Sequence, residues 1–152
     1  MKERFKTPNA VFVILFRGNK DNLEILLQKR KNTGFMDGYW DVAASGHVEE
    51  GESTTEAAAR EAKEELGIEI AKNDIKFAGF YYNNFGSVTY CHTYFDVRNY
   101  SGIPRVNEPD KCSEIRWFSL EKLPVDMIDE RKVSVKNYLN GICFGEFGWE
   151  MQ

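Results

Sequence analysis

The 152-residue sequence has few cysteines, no long apolar segment and no excess of positive charge. Its three cysteines, Cys91, Cys112 and Cys143, are odd in number and widely spaced, and no C-x-x-C pair occurs. This pattern excludes a disulfide framework or a cysteine-based metal site and favours a reduced, cytoplasmic protein. We expect all three thiols to be buried as small apolar side chains.

Signals for membrane insertion and secretion are also missing. The longest apolar run, residues 10–16, is much shorter than the roughly 20 residues that span a bilayer as a helix. The charged N-terminus is not followed by an apolar segment with a small-residue cleavage site. The formal net charge is −4, whereas proteins that bind nucleic acids non-specifically are usually basic. We therefore expect neither a membrane nor a nucleic acid as partner.

The sequence does contain enough apolar material for a substantial core. Hydrophobic residues make up 42% of the chain and aromatic residues 14%, which excludes a disordered protein. A chain of this length buries roughly 68–70% of the surface that its unfolded form exposes, so it needs no disulfide or structural metal to fold. We expect one domain over residues 1–152.

Apolar segments bounded by turn residues predict the secondary structure. Two segments flank a polar turn at 18–22 and two flank a turn at 83–86, so each pair predicts an antiparallel hairpin. The remaining pattern predicts helices over 53–67 and 131–139 and a helical turn at 120–123. Strands and helices are mixed without strict alternation, so we expect an α/β fold with a mixed sheet between two helices. The predicted strands are 10–16, 23–28, 39–44, 75–82, 88–97 and 115–118.

The two predicted helices differ in their sequence signals. In the first helix, Ser53 and Glu56 form a capping box, and Gly67 is suited to the left-handed residue at the C-terminus. In the second helix, four apolar residues have the spacing of a single buried face. They are Val135, Tyr138, Leu139 and Ile142.

The first helix carries an unusual density of negative charge. Between Glu49 and Glu69 there are eight glutamates against two basic residues, a local net charge of −6. At 100° per residue, three of these glutamates share one stripe beside the apolar face, and two of them lie in the last turn, where the helix dipole disfavours anions. A divalent cation would neutralise them, although a solvated acidic face would have the same charge pattern. The three are Glu61, Glu64 and Glu65.

The order of residues around this helix is more specific than the charge. Residues 46–68 read GHVEEGESTTEAAAREAKEELGI, and this stretch resembles the signature of the Nudix hydrolases. Ala62 is smaller than the apolar residue usual at its position, and Ala44-Ser45 replaces the Pro-Gly that many members have before the first glycine. Every specified polar or glycine position of the signature is filled, by Gly46, Glu52, Arg60, Glu61, Glu64, Glu65 and Gly67.

The resemblance implies an α/β/α sandwich that uses Mg²⁺ or Mn²⁺ to cleave a nucleoside diphosphate linked to another group. It implies that Glu61, Glu64 and Glu65 bind metal or activate water, with Glu61 the first choice as base. Arg60 would orient the glutamates. Glu52 would bind metal directly or through water, and the Gly46 carbonyl would be a further ligand.

Several functions remain open within this resemblance. The leading hypothesis is a MutT-like enzyme that converts a nucleoside triphosphate into monophosphate and pyrophosphate. Nucleotide sugars, ADP-ribose and dinucleotides are alternative substrates. A non-catalytic nucleotide sensor is disfavoured by the intact glutamates, and an isopentenyl-diphosphate isomerase by the absence of cysteine from residues 41–46. The expected partner is a small nucleotide, and the expected assembly a monomer or homodimer.

Three residues outside the signature are candidate substrate contacts. Arg30 ends a strand near the motif, where it would reach phosphates or simply face solvent. Trp40 would pack in the core or contact the substrate. Glu108 and the nearby Asp110 lie in a proline-flanked loop where related proteins often place a further acidic residue. His47, next to Gly46, would either reach the substrate or serve the structure.

Overall fold

A computed structural model describes residues 2–150 of the protein. This part of the chain contains eight strands, two α-helices and a short 3-10 helix. The strands are β1 (Asn9–Arg17), β2 (Glu24–Arg30), β3 (Trp40–Val42), β4 (Ala44–His47), β5 (Lys76–Asn84), β6 (Thr89–Val97), β7 (Cys112–Ser119) and β8 (Phe144–Gly145). The helices are α1 (Thr54–Leu66) and α2 (Asp129–Leu139), and the 3-10 helix is Lys72–Asp74.

Strand β1 is the centre of a mixed sheet. It pairs in parallel with β6 and in antiparallel fashion with β4. The predicted hairpin between β1 and β2 is confirmed, although only Phe16 and Arg17 pair across it. Strand β2 continues the sheet by pairing with β3 and β7. The second predicted hairpin, β5 with β6, is also confirmed, and β8 adds a short parallel pair to β5.

The two helices cover opposite faces of the sheet, as expected for an α/β/α sandwich. Side chains alternate along a strand, and β1 is buried on both faces. Val11, Val13 and Leu15 belong to the core on the α1 side. Phe12 and Ile14 belong to the core on the α2 side.

The predicted strand 39–44 is two strands in the structure, separated at Ala43. The chain changes partners here, because β3 pairs with β2 whereas β4 pairs with β1. The Gln28 amide donates hydrogen bonds to the carbonyls of Val42 and Ala43, at 3.2 and 3.1 Å. These bonds satisfy backbone oxygens where the strand pairing is interrupted.

Two helix predictions were wrong in detail. Residues 120–123 form no helix but a turn, closed by a hydrogen bond from the Lys122 amide to the Ser119 carbonyl. Helix α2 exists, but Leu139 and Ile142 are 43% and 49% exposed. The helix ends at Leu139 and the chain turns at Gly141, which has a φ of 78°. Ile142 therefore lies beyond the end of the helix and is not part of the buried face that the spacing predicted.

The cysteines also differ from one another. All three are free, and Cys112 is buried as predicted. Cys91 is only partly buried, and Cys143 is exposed, so the prediction of burial was wrong for Cys143. Cys143 follows α2 and precedes β8, where its carbonyl accepts a hydrogen bond from the Phe80 amide. Its position is thus fixed by the backbone and not by packing of the thiol. No helix of the described residues is long and apolar enough to cross a membrane.

Candidate functional site

The ends of helix α1 are fixed by local interactions. The Ser53 hydroxyl accepts a hydrogen bond from the Glu56 amide, and the Glu56 carboxylate accepts one from the Ser53 amide. Gly67 ends the helix with a φ of 70°. Both features confirm the predicted caps, which set the register of the glutamates along α1.

Small residues let α1 approach the sheet closely. Ala57, Ala58 and Ala62 are completely buried on the face that packs against the core. On β4, Gly46 lies directly against Glu61, and a Cβ at position 46 would be 2.1 Å from Glu61 Oε1. The lack of a side chain at Gly46 is therefore what leaves room for the Glu61 carboxylate.

Arg60 links the acidic residues of the motif. Its Nε and Nη2 donate to the two carboxylate oxygens of Glu52, at 2.7 and 3.0 Å. Its Nη1 donates to Glu61 at 2.9 Å and to Glu64 at 3.3 Å, and Nη2 also reaches the His47 carbonyl at 3.0 Å. A bidentate pair of this kind fixes the plane of the guanidinium group. Arg60 is thereby held in a position from which it hydrogen-bonds to Glu61.

Glu52 is held by this pair and does not face the cavity described below. The hydrogen bonds from Arg60, followed by one from the Glu49 amide, lower the pKa of Glu52 to about 2. Glu52 is thus an anion at neutral pH with both oxygens engaged. The structure pairs Glu52 with Arg60, and its predicted role as a metal ligand, directly or through water, stays a prediction.

Glu65 occupies the most enclosed position of the acidic stripe. Its two oxygens accept hydrogen bonds from the Gln28 amide at 2.9 Å and from the Ser45 backbone amide at 3.1 Å. Burial, followed by the close Glu61 carboxylate, raises the pKa of Glu65 well above its ordinary value. Glu64, in contrast, is half exposed at the outer side of the helix. Glu61 and Glu65 therefore form the inner pair.

A cavity of about 780 Å³ opens beside this pair. One end is acidic and is bordered by Gly46, Glu61 and Glu65. A polar and basic side includes Arg30 and Lys111. Four aromatic side chains that line the cavity contact one another and form its aromatic wall, whereas Phe35 lies against Arg30. The aromatic wall consists of Phe12, Phe85, Tyr90 and His92.

The cavity contains some of the predicted contacts and not others. Arg30 and Glu108 line it, and so does His47, whose Nε2 lies 2.7 Å from the Tyr90 hydroxyl. Trp40 does not line it; its side chain is 4% exposed and packs edge-on against Phe118 in the core. The structure thus brings Arg30 and Glu108, but not Trp40, to the cavity.

A buried charge network was not predicted from the sequence. Asp41 is fully buried and receives Arg131 Nε at 3.0 Å and Arg30 Nη1 at 2.9 Å. Arg131 extends from α2 across the sheet, and its guanidinium carbon lies 4.2 Å from the centre of the Phe12 ring. The one available signal was an arginine at a core-facing position of a predicted helix. His92, also unpredicted, shares its face of β6 with Tyr90 and Tyr94 by strand alternation.

The donor atoms at the acidic end suit a hard cation only in part. Among residues 2–150, no three acidic, histidine or cysteine side chains gather into a complete metal site. Glu61 and Glu65 nevertheless offer adjacent carboxylates, and the small volume of Gly46 keeps space beside them. Mg²⁺ is commonly bound by one or two carboxylates while the phosphates of a substrate supply further oxygens. The inner pair fits that arrangement.

Comparison with known proteins identifies relatives that share the sequence and the fold. The family model described as NUDIX domain matches residues 6–138. An uncharacterised Nudix hydrolase of Pseudomonas aeruginosa is 31% identical over 80% of this chain and 68% of its own. A putative 8-oxo-dGTP diphosphatase of Bacillus subtilis is 31% identical over 87% of this chain and 80% of its own.

A larger protein and a solved structure are also similar to this chain. The NAD-capped RNA hydrolase NudC of Pseudomonas aeruginosa is 30% identical over 76% of this chain but only 37% of its own length. The crystal structure of a MutT Nudix hydrolase from Burkholderia pseudomallei superposes with a TM-score of 0.74 at 25% identity. That superposition covers 87% of this chain and 98% of the other.

Proposed function

Since the chain belongs to the Nudix family of pyrophosphohydrolases, we propose that it hydrolyses a nucleoside triphosphate to the monophosphate and pyrophosphate. The observation that carries this proposal is one cavity that is lined both by the Glu61–Glu65 pair and by an aromatic wall. The acidic pair suits a phosphate chain accompanied by cations, and the aromatic wall suits a planar base.

The chain's residues have distinct proposed roles in this reaction. Glu61 accepts a proton from the attacking water, whose oxygen bonds to phosphorus while the phosphoanhydride bond breaks and the leaving phosphate keeps the electron pair. Arg60 orients Glu61, and Glu52 holds Arg60 in place. Bound Mg²⁺ or Mn²⁺ would neutralise charge that develops on the pyrophosphate bridge. Glu61, Glu65 and the Gly46 carbonyl would hold that cation, with Glu64 at the outer edge.

The basic side of the cavity is the proposed position of the outer phosphates. Arg30 is held by Asp41 through Nη1 and by the Phe35 carbonyl through Nε, at 2.9 and 2.7 Å. This side also includes Lys111, and the carboxylate of Glu108 lies near it as a candidate further ligand. Cationic side chains here attract the triphosphate without competing with the glutamates for the metal.

The test is a panel of nucleoside triphosphates, nucleotide sugars and dinucleotides, with products identified by mass. The proposal expects monophosphate and pyrophosphate from a triphosphate, with ¹⁸O from labelled water in one of these two products. Labelled free phosphate together with nucleoside diphosphate as the primary product would contradict it. Glu69→Gln, an exposed residue of the same acidic region, is the matched control for Glu61→Gln on every substrate.

A dinucleotide is the second candidate substrate, and one observation favours it. The similarity to the NAD-capped RNA hydrolase NudC covers 115 residues, and the acidic pair would cleave a diphosphate between two nucleosides by the same chemistry. The panel separates the two candidates, because NAD or ADP-ribose would yield two monophosphates or a monophosphate and a sugar phosphate. Cleavage of these compounds without cleavage of any triphosphate would favour the dinucleotide class.

The proposal extends to the organisation and the partners of the protein. We infer a single domain over residues 1–152 that works in the cytoplasm as a monomer or homodimer. A small nucleotide is its proposed partner, without a membrane or a nucleic acid. Light scattering of the purified protein checks the assembly state.

A further inference from the structure

His92 is part of the aromatic wall of the cavity. It lies on β6 opposite Ala10 of the central strand, and only 4% of its surface is exposed. Its ring centre is 4.6 Å from that of Phe12, and the residue borders the cavity. None of the proposed catalytic steps uses this imidazole.

The hydrogen bonds around His92 determine where its ring proton lies. Asn83 Oδ1 accepts a hydrogen bond from the Phe147 backbone amide at 3.0 Å. The Asn83 amide nitrogen is therefore the atom that faces His92 Nδ1, at 3.3 Å. An amide nitrogen only donates, so Nδ1 of a neutral ring must accept, and the single ring proton lies on Nε2.

The ring is neutral at physiological pH. Burial, followed by the positive charge of Arg131, lowers the pKa of His92 to about 3. Within residues 2–150, Nε2 has no hydrogen-bond partner, although the same ring makes the Asn83 contact. The Nε2–H group is thus a fixed donor at the aromatic wall, available to a molecule in the cavity.

Arg131 supplies further donors beside the same part of the wall. Its Nε is committed to Asp41 at 3.0 Å, while the remaining guanidinium nitrogens belong to a side chain that borders the cavity. The guanidinium carbon lies 4.2 Å from the centre of Phe12, the same ring that His92 contacts. Two donor groups, the Nε2–H of His92 and the Arg131 guanidinium, therefore lie beside the same buried Phe12 ring.

We propose that His92 is a specificity-determining residue, whose Nε2–H donates to an acceptor on the base of the substrate and, with Arg131, selects a 6-oxopurine over a 6-aminopurine. The inference rests on the proposed function. Guanine presents two acceptors, O6 and N7, on one edge, whereas adenine presents one acceptor and an amino donor there. A buried donor that faces another donor leaves both unpaired, which is strongly unfavourable.

The test compares non-hydrolysable nucleotides by calorimetry in the presence of Mg²⁺. For the wild-type protein we expect α,β-methylene-GTP to bind about 10- to 100-fold more tightly than α,β-methylene-ATP. His92→Phe keeps an aromatic ring but removes the donor, so it should abolish most of this ratio while the ATP analogue binds almost as before. Thr93→Val, at the next position of β6 and on its other face, is the control and should keep the ratio.

A second variant and a wild-type measurement make the test independent of how well His92→Phe folds. In Asn83→Asp, a carboxylate that only accepts faces Nδ1, so at pH 8 the proton moves to Nδ1 and the preference should shift towards the ATP analogue. In the wild-type protein, ¹⁵N NMR of the imidazole should show an unprotonated Nδ1 and an Nε2–H signal that shifts when α,β-methylene-GTP binds.

Each outcome decides between the inference and the function on which it rests. A protonated Nδ1 in the wild-type protein, or nucleotide binding with no base preference that depends on His92, would overturn the inference alone. Failure of every nucleotide analogue to bind would overturn the proposed function, and the inference with it.

Discussion

The Cα of Gly46 faces the carboxylate of Glu61 so closely that no other residue fits at position 46 without displacing it. A Cβ there would lie 2.1 Å from Oε1 and 2.2 Å from the carboxylate carbon. Gly46 is not among the glycines of the described chain that adopt a positive φ. The requirement for glycine is therefore one of space and not of backbone conformation.

Gly46→Ala should reduce turnover much more than it reduces stability. The methyl group displaces the flexible end of Glu61 and not the backbone, so the fold is largely retained. A displacement of about 1 Å in the base costs on the order of 10² in rate. Thermal unfolding and kcat of the single variant are the measurements. If displacement is the cause, Gly46→Ala in a Glu61→Ala background should change neither quantity further, and a large additional loss of stability would contradict this.

Glu61→Gln should lower kcat on the order of 10²–10⁴, the range expected when a general base is lost. The free energy of unfolding should change by less than about 1 kcal/mol, because the lost pair with Arg60 is offset by relief of repulsion with Glu65. Steady-state kinetics and chemical unfolding measure the two effects. A steep fall in stability, with the folded fraction fully active, would show instead that Glu61 is structural.

The variant Glu52→Gln tests whether Glu52 positions Arg60 or binds the metal. Because both Glu52 oxygens are engaged by Arg60, we expect kcat to fall by about 10-fold or more as the guanidinium group loses its fixed plane. The affinity for Mg²⁺ in the absence of substrate should remain within about 3-fold of wild type, because only small geometric changes reach the inner pair. Calorimetric titration with Mg²⁺ measures this affinity. A loss of Mg²⁺ affinity as large as that caused by Glu65→Gln would show that Glu52 is a metal ligand.

Removal of divalent cations should abolish activity, and Mg²⁺ or Mn²⁺ should restore it. The physical reason is the adjacent Glu61 and Glu65 carboxylates, which repel both each other and an anionic substrate. Titration of Mg²⁺ into the EDTA-treated protein should show binding that Glu61→Gln and Glu65→Gln each weaken, while Glu69→Gln does not. Full turnover of a cleaved substrate in EDTA would refute the requirement for metal.

His92 should make the protein less stable as the pH falls below neutral. The pKa of its imidazole is about 3 in the folded protein and near 6.5 in an unfolded chain, so the unfolded state binds the proton more readily between these values. The stability that His92 contributes is complete above pH 6.5 and declines by up to about 1.4 kcal/mol for each unit below it. Glu65, whose pKa is raised, has the opposite dependence, so total stability alone does not reveal His92.

The measurement is therefore the difference between the wild-type protein and His92→Phe in urea unfolding at pH 7.5, 6.5 and 5.5. The wild-type protein should lose more stability than the variant over this range. Parallel profiles for the two proteins would show that His92 does not titrate in the way its surroundings require.

Helix α1 was predictable because its determinants are local. Ser53 and Glu56 are three residues apart, and Gly67 ends the same segment, so the boundaries follow from short-range hydrogen bonds and backbone preference. The inward position of Glu61 and Glu65 follows from helical periodicity once these ends are known. The pairing of Glu52 with Arg60 does not follow from helical periodicity. Glu52 precedes the helix, and Arg60 is one of several residues with which it could pair across a loop.

The buried polar residues beside the cavity were not predictable in the same way. Asp41 and Arg131 are 90 residues apart, and their contact depends on how β3 and α2 pack across the sheet. Burial of an arginine is unusual unless it is paired, and no local pattern identifies the partner. His92 is likewise polar in a buried strand, and its hydrogen bond to Asn83 becomes visible only when β5 and β6 are aligned.

The pairing of β1 with β6 has a consequence for how the protein is made. Strand β1 ends at Arg17, whereas its parallel partner ends at Val97, so one hydrogen-bonding edge of β1 remains unpaired until those later residues leave the ribosome. At about 5–20 residues per second, that interval is on the order of 4–16 s. A nascent chain stopped before β6 therefore exposes the most apolar strand of the protein, and such chains should be the ones that chaperones bind and that aggregate.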